Sequence, residues 1–321
     1  MSLFLGIDTS AYTTSLAIVD KAGQIFYDGR SVLEVPSGKR GLRQSEALFQ
    51  HTKNLPVLME SLDQEYFPQL QAIGVSSTPR PAEDSYMPVF LAGEALARSL
   101  ARTLDIPLYR LSHQEGHIMA GMTGHPQLMT SDILLAVHFS GGTSEVLHVQ
   151  RGYQHFFDIN CSQAGKDLHA GQLVDRVGVA MGLSFPAGPA LEQLANRSGG
   201  ENLPFLPASV SRRGFSFSGA ETQALRMIEQ GCRPEDVAFA VLRVIANTLE
   251  KCLLQEKEIG KGNEVLLVGG VMANGMIRKR LQSRLEHPAV GLKLHFAQPL
   301  LSTDNAVGTA MLAAQLEERR K

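Results

Sequence analysis

The chain has 321 residues, 44% of them hydrophobic, with a formal net charge of −2 at neutral pH. That length suits about two domains with substantial cores, and the charge gives no global attraction to nucleic acid. An RNA partner would therefore need local patches such as Arg278-Lys279-Arg280 or Lys39-Arg40-Arg43, clusters that also occur as solvated helix faces. No apolar run approaches the roughly 20 residues of a membrane-spanning helix. The N-terminus leads straight into a strand without a basic lead or signal-type cleavage site, so a cytoplasmic location and no membrane partner are expected. Cys161, Cys232 and Cys252 show no Cys-x-x-Cys spacing, which indicates neither a disulfide framework nor a thiolate zinc site.

Leu5 to Asp28 reads as an apolar strand, a tight polar turn at Asp8-Thr9-Ser10, a second strand and a third. Leu42 to Leu62 carries apolar residues at helical spacing, and Gln71 to Ser76 is a short strand. Thr78-Pro79-Arg80-Pro81 is a loop, because proline lacks a backbone donor and restricts the residue before it. Val89 to Leu104 returns to helix and Pro107 to Leu111 to strand, after which Ser112 is the expected N-cap of a short helix. Leu135 to Asp158 can then be laid without a gap on Leu5 to Asp28, with Leu5/Leu135, Ser10/Ser140, Thr13/Thr143, Gln24/Gln154, Phe26/Phe156 and Asp28/Asp158 identical. Here the turn is Ser140-Gly141-Gly142-Thr143. Gly171 to Leu254 is helix-rich, broken by Pro186, Gly188, Pro189 and a loop from Asn196 to Phe215. Glu264 to Val268 is a buried-type strand ending in Gly269-Gly270, followed by a helix from Ala273 to about Arg284 and a strand from Gly291 to Phe296. A C-terminal helix is expected to begin at Thr303 with Asp304 in its first turn.

Strands alternating with helices in two similar hairpin-led parts predict an α/β protein with two parallel-rich mixed sheets and a cleft between them. The expected parts are 1–130, carrying the histidine pair, and 131–321, whose last helix packs back. The hairpin turns would offer backbone N–H groups and hydroxyls to phosphate oxygens, and Gly269-Gly270 would let the backbone approach an adenosine, an arrangement similar to actin-like (ASKHA) ATPases.

His113 and His117 stand at i and i+4, so on a helix both imidazoles share a face and can grip one cation. The same spacing also arises by coincidence. Glu115 falls about 200° around that helix from His113 and faces away, unlike the glutamate of a His-Glu-x-x-His protease. Asp304 is the best-placed third ligand, reaching across from the second part; the alternative is an acid that only complements a helix dipole.

His113-x-x-x-His117, Ser140-Gly141-Gly142, Asp175 with Pro186-x-Gly188-Pro189, Phe215-Ser216-Phe217-Ser218-Gly219, Gly269-Gly270-Val271-x-Ala273-Asn274 and Thr303-Asp304-Asn305 together resemble the TsaD (Gcp) family over nearly the whole chain. The resemblance implies an actin-like ATPase fold and transfer of a threonylcarbamoyl group from threonylcarbamoyl-adenylate to N6 of adenine-37 in tRNA. It also implies a divalent iron or zinc ion on His113, His117 and Asp304. An adenine nucleotide (ATP, AMP or the adenylate) would lie against Phe139, Ser140, Gly141, Gly142, Thr143, Asp175, Gly188, Gly269, Gly270 and Asn274. tRNA and TsaB-like and TsaE-like proteins are the implied partners. No catalytic residue beyond the metal site follows from it.

The sequence departs from the family pattern in five places. Ala11-Tyr12-Thr13-Thr14 replaces a Cys-Asp-Glu-Thr run, and Thr78-Pro79-Arg80-Pro81 with several extra residues through Met87 replaces a Gly-Pro-Gly loop. Thr143 replaces a histidine and Glu221 a lysine, while the acidic lead into the Asp175 helix survives only as Asp167. These changes keep a second reading open, that of a diverged paralogue with another acceptor or a non-catalytic role beside a true transferase.

Overall fold

The computed structural model describes residues 1–10, 12–35, 42–82, 84–152, 155–199, 204–260 and 262–320. Ala11, Lys39, Arg40, Gln154 and residues 200–203 of the expected Asn196 to Phe215 loop lie outside the described residues. In chain order the first elements are β1 (Leu3–Ser10), β2 (Thr13–Asp20), β3 (Ile25–Val32), α1 (Gln44–Glu60), β4 (Leu70–Thr78), α2 (Phe90–Leu104), β5 (Leu108–Ser112) and α3 (His113–Met122). There follow α4 (Pro126–Met129), β6 (Ile133–Phe139), β7 (Ser144–Arg151), β8 (Phe157–Gly165), α5 (Ala170–Ala180), α6 (Gly188–Ala195), β9 (Ser209–Ser211) and β10 (Gly214–Ser216). The last are α7 (Ser218–Glu229), α8 (Pro234–Glu258), β11 (Glu264–Val268), α9 (Gly275–Leu285), β12 (Lys293–Phe296) and α10 (Val307–Arg320). Among the described residues no helix is long and apolar enough to cross a membrane.

Two compact units result. The first comprises Met1–Pro126, Arg151–Asp158 and Leu300–Lys321; the second comprises Gln127–Gln150 and Ile159–Pro299. The first unit's sheet has the order β3-β2-β1-β4-β5, with the hairpin strands antiparallel and β1, β4 and β5 parallel. The second unit's sheet runs β12-β11-β6-β7-β8-β10-β9. Read backwards, its β8-β7-β6-β11-β12 stretch repeats the order of the first, so the internal sequence repeat is a repeat of topology, and β9 and β10 are additions beyond β8.

β1 is buried along its whole length. On one side Leu3, Leu5 and Ile7 pack with Leu55 of α1 and Ala97 and Ala101 of α2. On the other Phe4 packs with Ala120 of α3 and Ala306, Ala310 and Ala314 at the chain's end. A strand covered on both faces reads as a continuous apolar run rather than an alternation, which is how Leu3 to Ile7 looks in the sequence. The second core gathers Leu135, Val137 and Phe139 of β6 with Leu173 and Val177 of α5, Leu191 of α6, Val241, Ile245 and Leu249 of α8, and Ile277 and Leu281 of α9.

Two local expectations are corrected. The first hairpin does not turn at Asp8-Thr9-Ser10: the antiparallel ladder continues through Asp8↔Ser15, Thr9↔Thr14 and Ser10↔Thr13, so these residues are buried strand. Two of the three polar side chains find partners inside the fold: Thr9 Oγ1 donates to the Val89 carbonyl (3.0 Å) and the Asp8 carboxylate meets His113 Nδ1 (2.8 Å). The C-terminal helix begins at Val307, not Thr303. Asn305 interrupts it by donating from Nδ2 to the carbonyls of Leu301 (3.2 Å) and Thr303 (2.7 Å) while its Oδ1 accepts from Val307 N. An asparagine bonding its own neighbourhood in this way competes with helix, and Asp304 is left in the bend before the helix.

Candidate metal centre and nucleotide-binding loops

α3 starts where Ser112 caps it. The Ser112 hydroxyl accepts from Glu115 N (3.2 Å), and Glu115 Oε2 accepts from Ser112 N (2.9 Å), a reciprocal capping box. Glu115 is 1% exposed, and its Oε1 accepts from the backbone N–H groups of Phe156 (3.1 Å) and Phe157 (3.3 Å). It therefore anchors the helix instead of facing the histidines. The Ser-x-x-Glu spacing that announces this cap was present in the sequence.

The cap fixes the helix phase so that His113 and His117 point the same way, with ring centroids 4.3 Å apart. Asp304 Oδ1 lies 3.2 Å from His117 Nε2 and 3.6 Å from His113 Nε2. One donor atom from each of His113, His117 and Asp304 falls within 4.8 Å of the others. Two ligands ~2.1 Å from one cation at tetrahedral angles stand about 3.4 Å apart, so this donor set of two imidazoles and a carboxylate fits a borderline divalent metal. All three residues belong to the first unit, because residues 300–321 pack with it; the expectation that Asp304 reaches in from a second part is corrected by those contacts.

A fourth residue, read in the sequence only as part of a turn, completes the cluster. Asp8, 1% exposed at the end of β1, has its Oδ2 2.8 Å from His113 Nδ1 and its Oδ1 accepting from Ser10 N at 2.9 Å. Nothing in the sequence links positions 8 and 113. Electrostatics follow the geometry. Burial works against a charged His113, yet the Asp8 and Asp304 carboxylates overcome it and raise its pKa to about 10. Burial likewise opposes ionised Asp304, but hydrogen bonds from His113 and His117 hold its carboxyl well below the usual range. Asp8 is lowered too, its burial outweighed chiefly by the His113 charge.

The Pro79 carbonyl accepts from Gln114 N (3.1 Å), so the loop that departs from the family pattern rests on the first turn of α3, beside His113.

The second unit holds the expected nucleotide residues as one linked set. Ser140 N donates to the Thr143 carbonyl (2.8 Å), and Ser140 Oγ accepts from Gly142 N and Thr143 N. Gly141, Gly142 and Gly270 border open space. Gly269, at φ +98°, presses its backbone against the Phe139 carbonyl, a conformation and an approach that exclude a β carbon. Gly171 N donates to the Ser140 carbonyl and starts α5 against that turn. Asp175 on α5 accepts from Ala187 N (2.8 Å) beside Gly188. Glu192 of α6 accepts from Gly275 N, and Asn274 caps α9 by accepting from Ile277 N (3.0 Å). Asp167 accepts from Phe217 N and from Ser218 N and Oγ, shaping the Phe-Ser-Phe-Ser-Gly segment. Glu221 pairs with Arg176 at 3.2 Å.

The tRNA N6-adenosine threonylcarbamoyltransferase (TsaD) family profile matches residues 37–311. The chain belongs to the TsaD family. Among curated TsaD relatives, a Thermus thermophilus "tRNA N6-adenosine threonylcarbamoyltransferase" is 31% identical over 98% of this chain and 93% of its own length. The Methanothermobacter thermautotrophicus "probable bifunctional tRNA threonylcarbamoyladenosine biosynthesis protein" is 31% identical over 97% of this chain. The chain spans 55% of the length of that bifunctional relative. Among solved structures, full-length HypF in its phosphate- and nucleotide-bound form superposes on 99% of this chain with a TM-score of 0.63 at 12% identity, covering 47% of HypF. At that identity the likeness speaks for the fold, and this chain has the actin-like ATPase fold expected from its repeat.

Proposed function

We propose that this protein transfers a threonylcarbamoyl group from threonylcarbamoyl-adenylate to N6 of adenine-37 in tRNA, as a cytoplasmic enzyme working with TsaB-like and TsaE-like proteins. The observation that carries the proposal is the convergence of Asp304 on His113 and His117, 187 residues from His117 in sequence, within one unit of a TsaD-family chain. A divalent iron or zinc ion held there would supply Lewis acidity toward a carbonyl oxygen. Gly141 and Gly142 of the Ser140-Gly141-Gly142-Thr143 turn border open space, room in which the phosphate of an adenylate would sit, and Asp175 would accept from the ribose hydroxyls. Transfer joins N6 to the carbamoyl carbon, breaks the bond from that carbon to the phosphate oxygen so that AMP leaves, and gives the N6 proton to solvent. The test is to incubate the purified protein and its partner proteins with threonylcarbamoyl-adenylate and unmodified tRNA. Modified adenosine appearing in digested tRNA is the expected result, and its absence with active partners would overturn the reading.

A second reading, a diverged paralogue with another acceptor, is favoured by the Thr78-Pro79-Arg80-Pro81 loop, since it contacts the first turn of α3. In that case the same assay returns unmodified tRNA although metal and nucleotide bind.

A further inference from the structure

The Asp8 carboxylate has two oxygens with two different duties. One is held by the backbone N–H of Ser10 at 2.9 Å, which fixes the plane of the group at the end of the middle strand of a five-stranded sheet. The other meets His113 Nδ1 at 2.8 Å. A carboxylate accepts and does not donate, so the hydrogen bond needs the proton on Nδ1; a cation bound at Nε2 replaces the proton there, and the ring that remains is the neutral Nδ1–H form. Nε2 is the nitrogen that faces Asp304, at 3.6 Å.

We propose that Asp8 is a positioning residue that holds His113 as the Nδ1–H tautomer, with Nε2 presented to a divalent cation shared with His117 and Asp304. The inference rests on the metal reading of that trio and adds an outer partner that acts only through His113. Without Asp8 the ring is free to take either tautomer and to turn about its Cβ–Cγ bond, and cation binding then carries the cost of selecting one arrangement. Outer partners of this kind typically contribute 10–100-fold in metal affinity.

The test uses zinc as probe, by competition with a chromophoric chelator, on wild-type protein, Asp8→Asn, Asp8→Ala and Asp8→Glu. Affinity is expected to fall 10–100-fold in Asp8→Ala, less in Asp8→Asn, whose amide oxygen can still accept from Nδ1–H, and to recover partly in Asp8→Glu. A second readout needs no substitution at Asp8: nitrogen-15 spectra of the zinc-loaded protein, with the His113 signals assigned through His113→Gln, should show a protonated Nδ1 and a zinc-bound Nε2. Zinc on Nδ1 of His113, or Asp8→Ala with wild-type affinity, overturns the proposal while leaving the metal centre standing. A wild-type chain that takes up no zinc overturns the metal reading and this inference with it. If Asp8→Ala does not fold, the wild-type nitrogen-15 spectrum decides alone.

Discussion

Gly308 of α10 lies directly against the backbone of Gly116 in α3, with no room for a β carbon between it and the Gly116 carbonyl. Gly116 is the residue before His117, and Gly308 follows Asp304 by four. The close approach of two helix backbones therefore sets the distance between the histidines and the aspartate. Gly308→Ala should cost about 1–3 kcal/mol in a urea melt, because an extra carbon in a filled contact forces the helices apart. It should also weaken zinc binding. Gly219→Ala, where a β carbon meets nothing within 4 Å, is the matched control and should leave stability unchanged or slightly raised.

The three ligands should differ in what their loss does to the fold. His113→Ala, His117→Ala and Asp304→Ala should each abolish bound metal by elemental analysis, since two donors hold a cation poorly. All three should keep a cooperative melt. His113→Ala is expected to melt lowest, because it leaves the Asp8 carboxylate buried without its imidazole partner. Full metal occupancy in any of the variants would remove that residue from the ligand set.

Adenine nucleotide binding should depend on the turns of the second unit. Gly188 has room for a side chain, its β position meeting only Val174 Cγ1 at 4.0 Å, so a leucine there would obstruct a ligand more than the fold. Asn274→Ala removes an N-cap and should cost about 1 kcal/mol of stability. The double variant Gly188→Leu/Asn274→Ala should remain folded and bind ATP or AMP at least about tenfold more weakly by calorimetry, equivalent to ~1.4 kcal/mol. Equal affinity would show that the nucleotide lies elsewhere.

Stability should fall in acid through Glu256. This carboxylate, 1% exposed, accepts from His148 Nε2 (2.5 Å), Ser162 Oγ (2.5 Å) and Gln163 Nε2 (2.7 Å). Burial pushes its pKa up from the ordinary 4.5, but the three hydrogen bonds and the His148 charge bring it below that value. A lowered carboxylate stabilises the fold above its unfolded pKa and loses that contribution as pH falls from about 4.5 through the lower folded value. Glu256→Gln should accordingly be less stable than wild type at pH 7, by about 1–3 kcal/mol, with the gap closing as the pH falls from about 4.5 through the lower folded value. A gap that is independent of pH would show that the packing at this position, not its charge, is what matters.

Much of this protein was legible in its sequence because the signals are short-range. The β1–β2 hairpin and its copy at β6–β7, the helical spacing of Phe90–Leu104, the Ser112 cap and the shared face of His113 and His117 are set by periods and contacts within a few residues. A helix places i and i+4 together wherever it sits, so the histidine pair needed no fold to be seen. That Asn305 delays the last helix to Val307 is not legible in the sequence, because helix propensity does not report which carbonyls an amide will find. What only the tertiary structure decided is the company the histidines keep. Asp8 and His113 are 105 residues apart, and His117 and Asp304 are 187 apart. Those meetings depend on α10 and α3 packing on one face of the first sheet with β1 at its centre, a consequence of which apolar faces bury one another, and no local pattern around Asp8 or Asp304 encodes it.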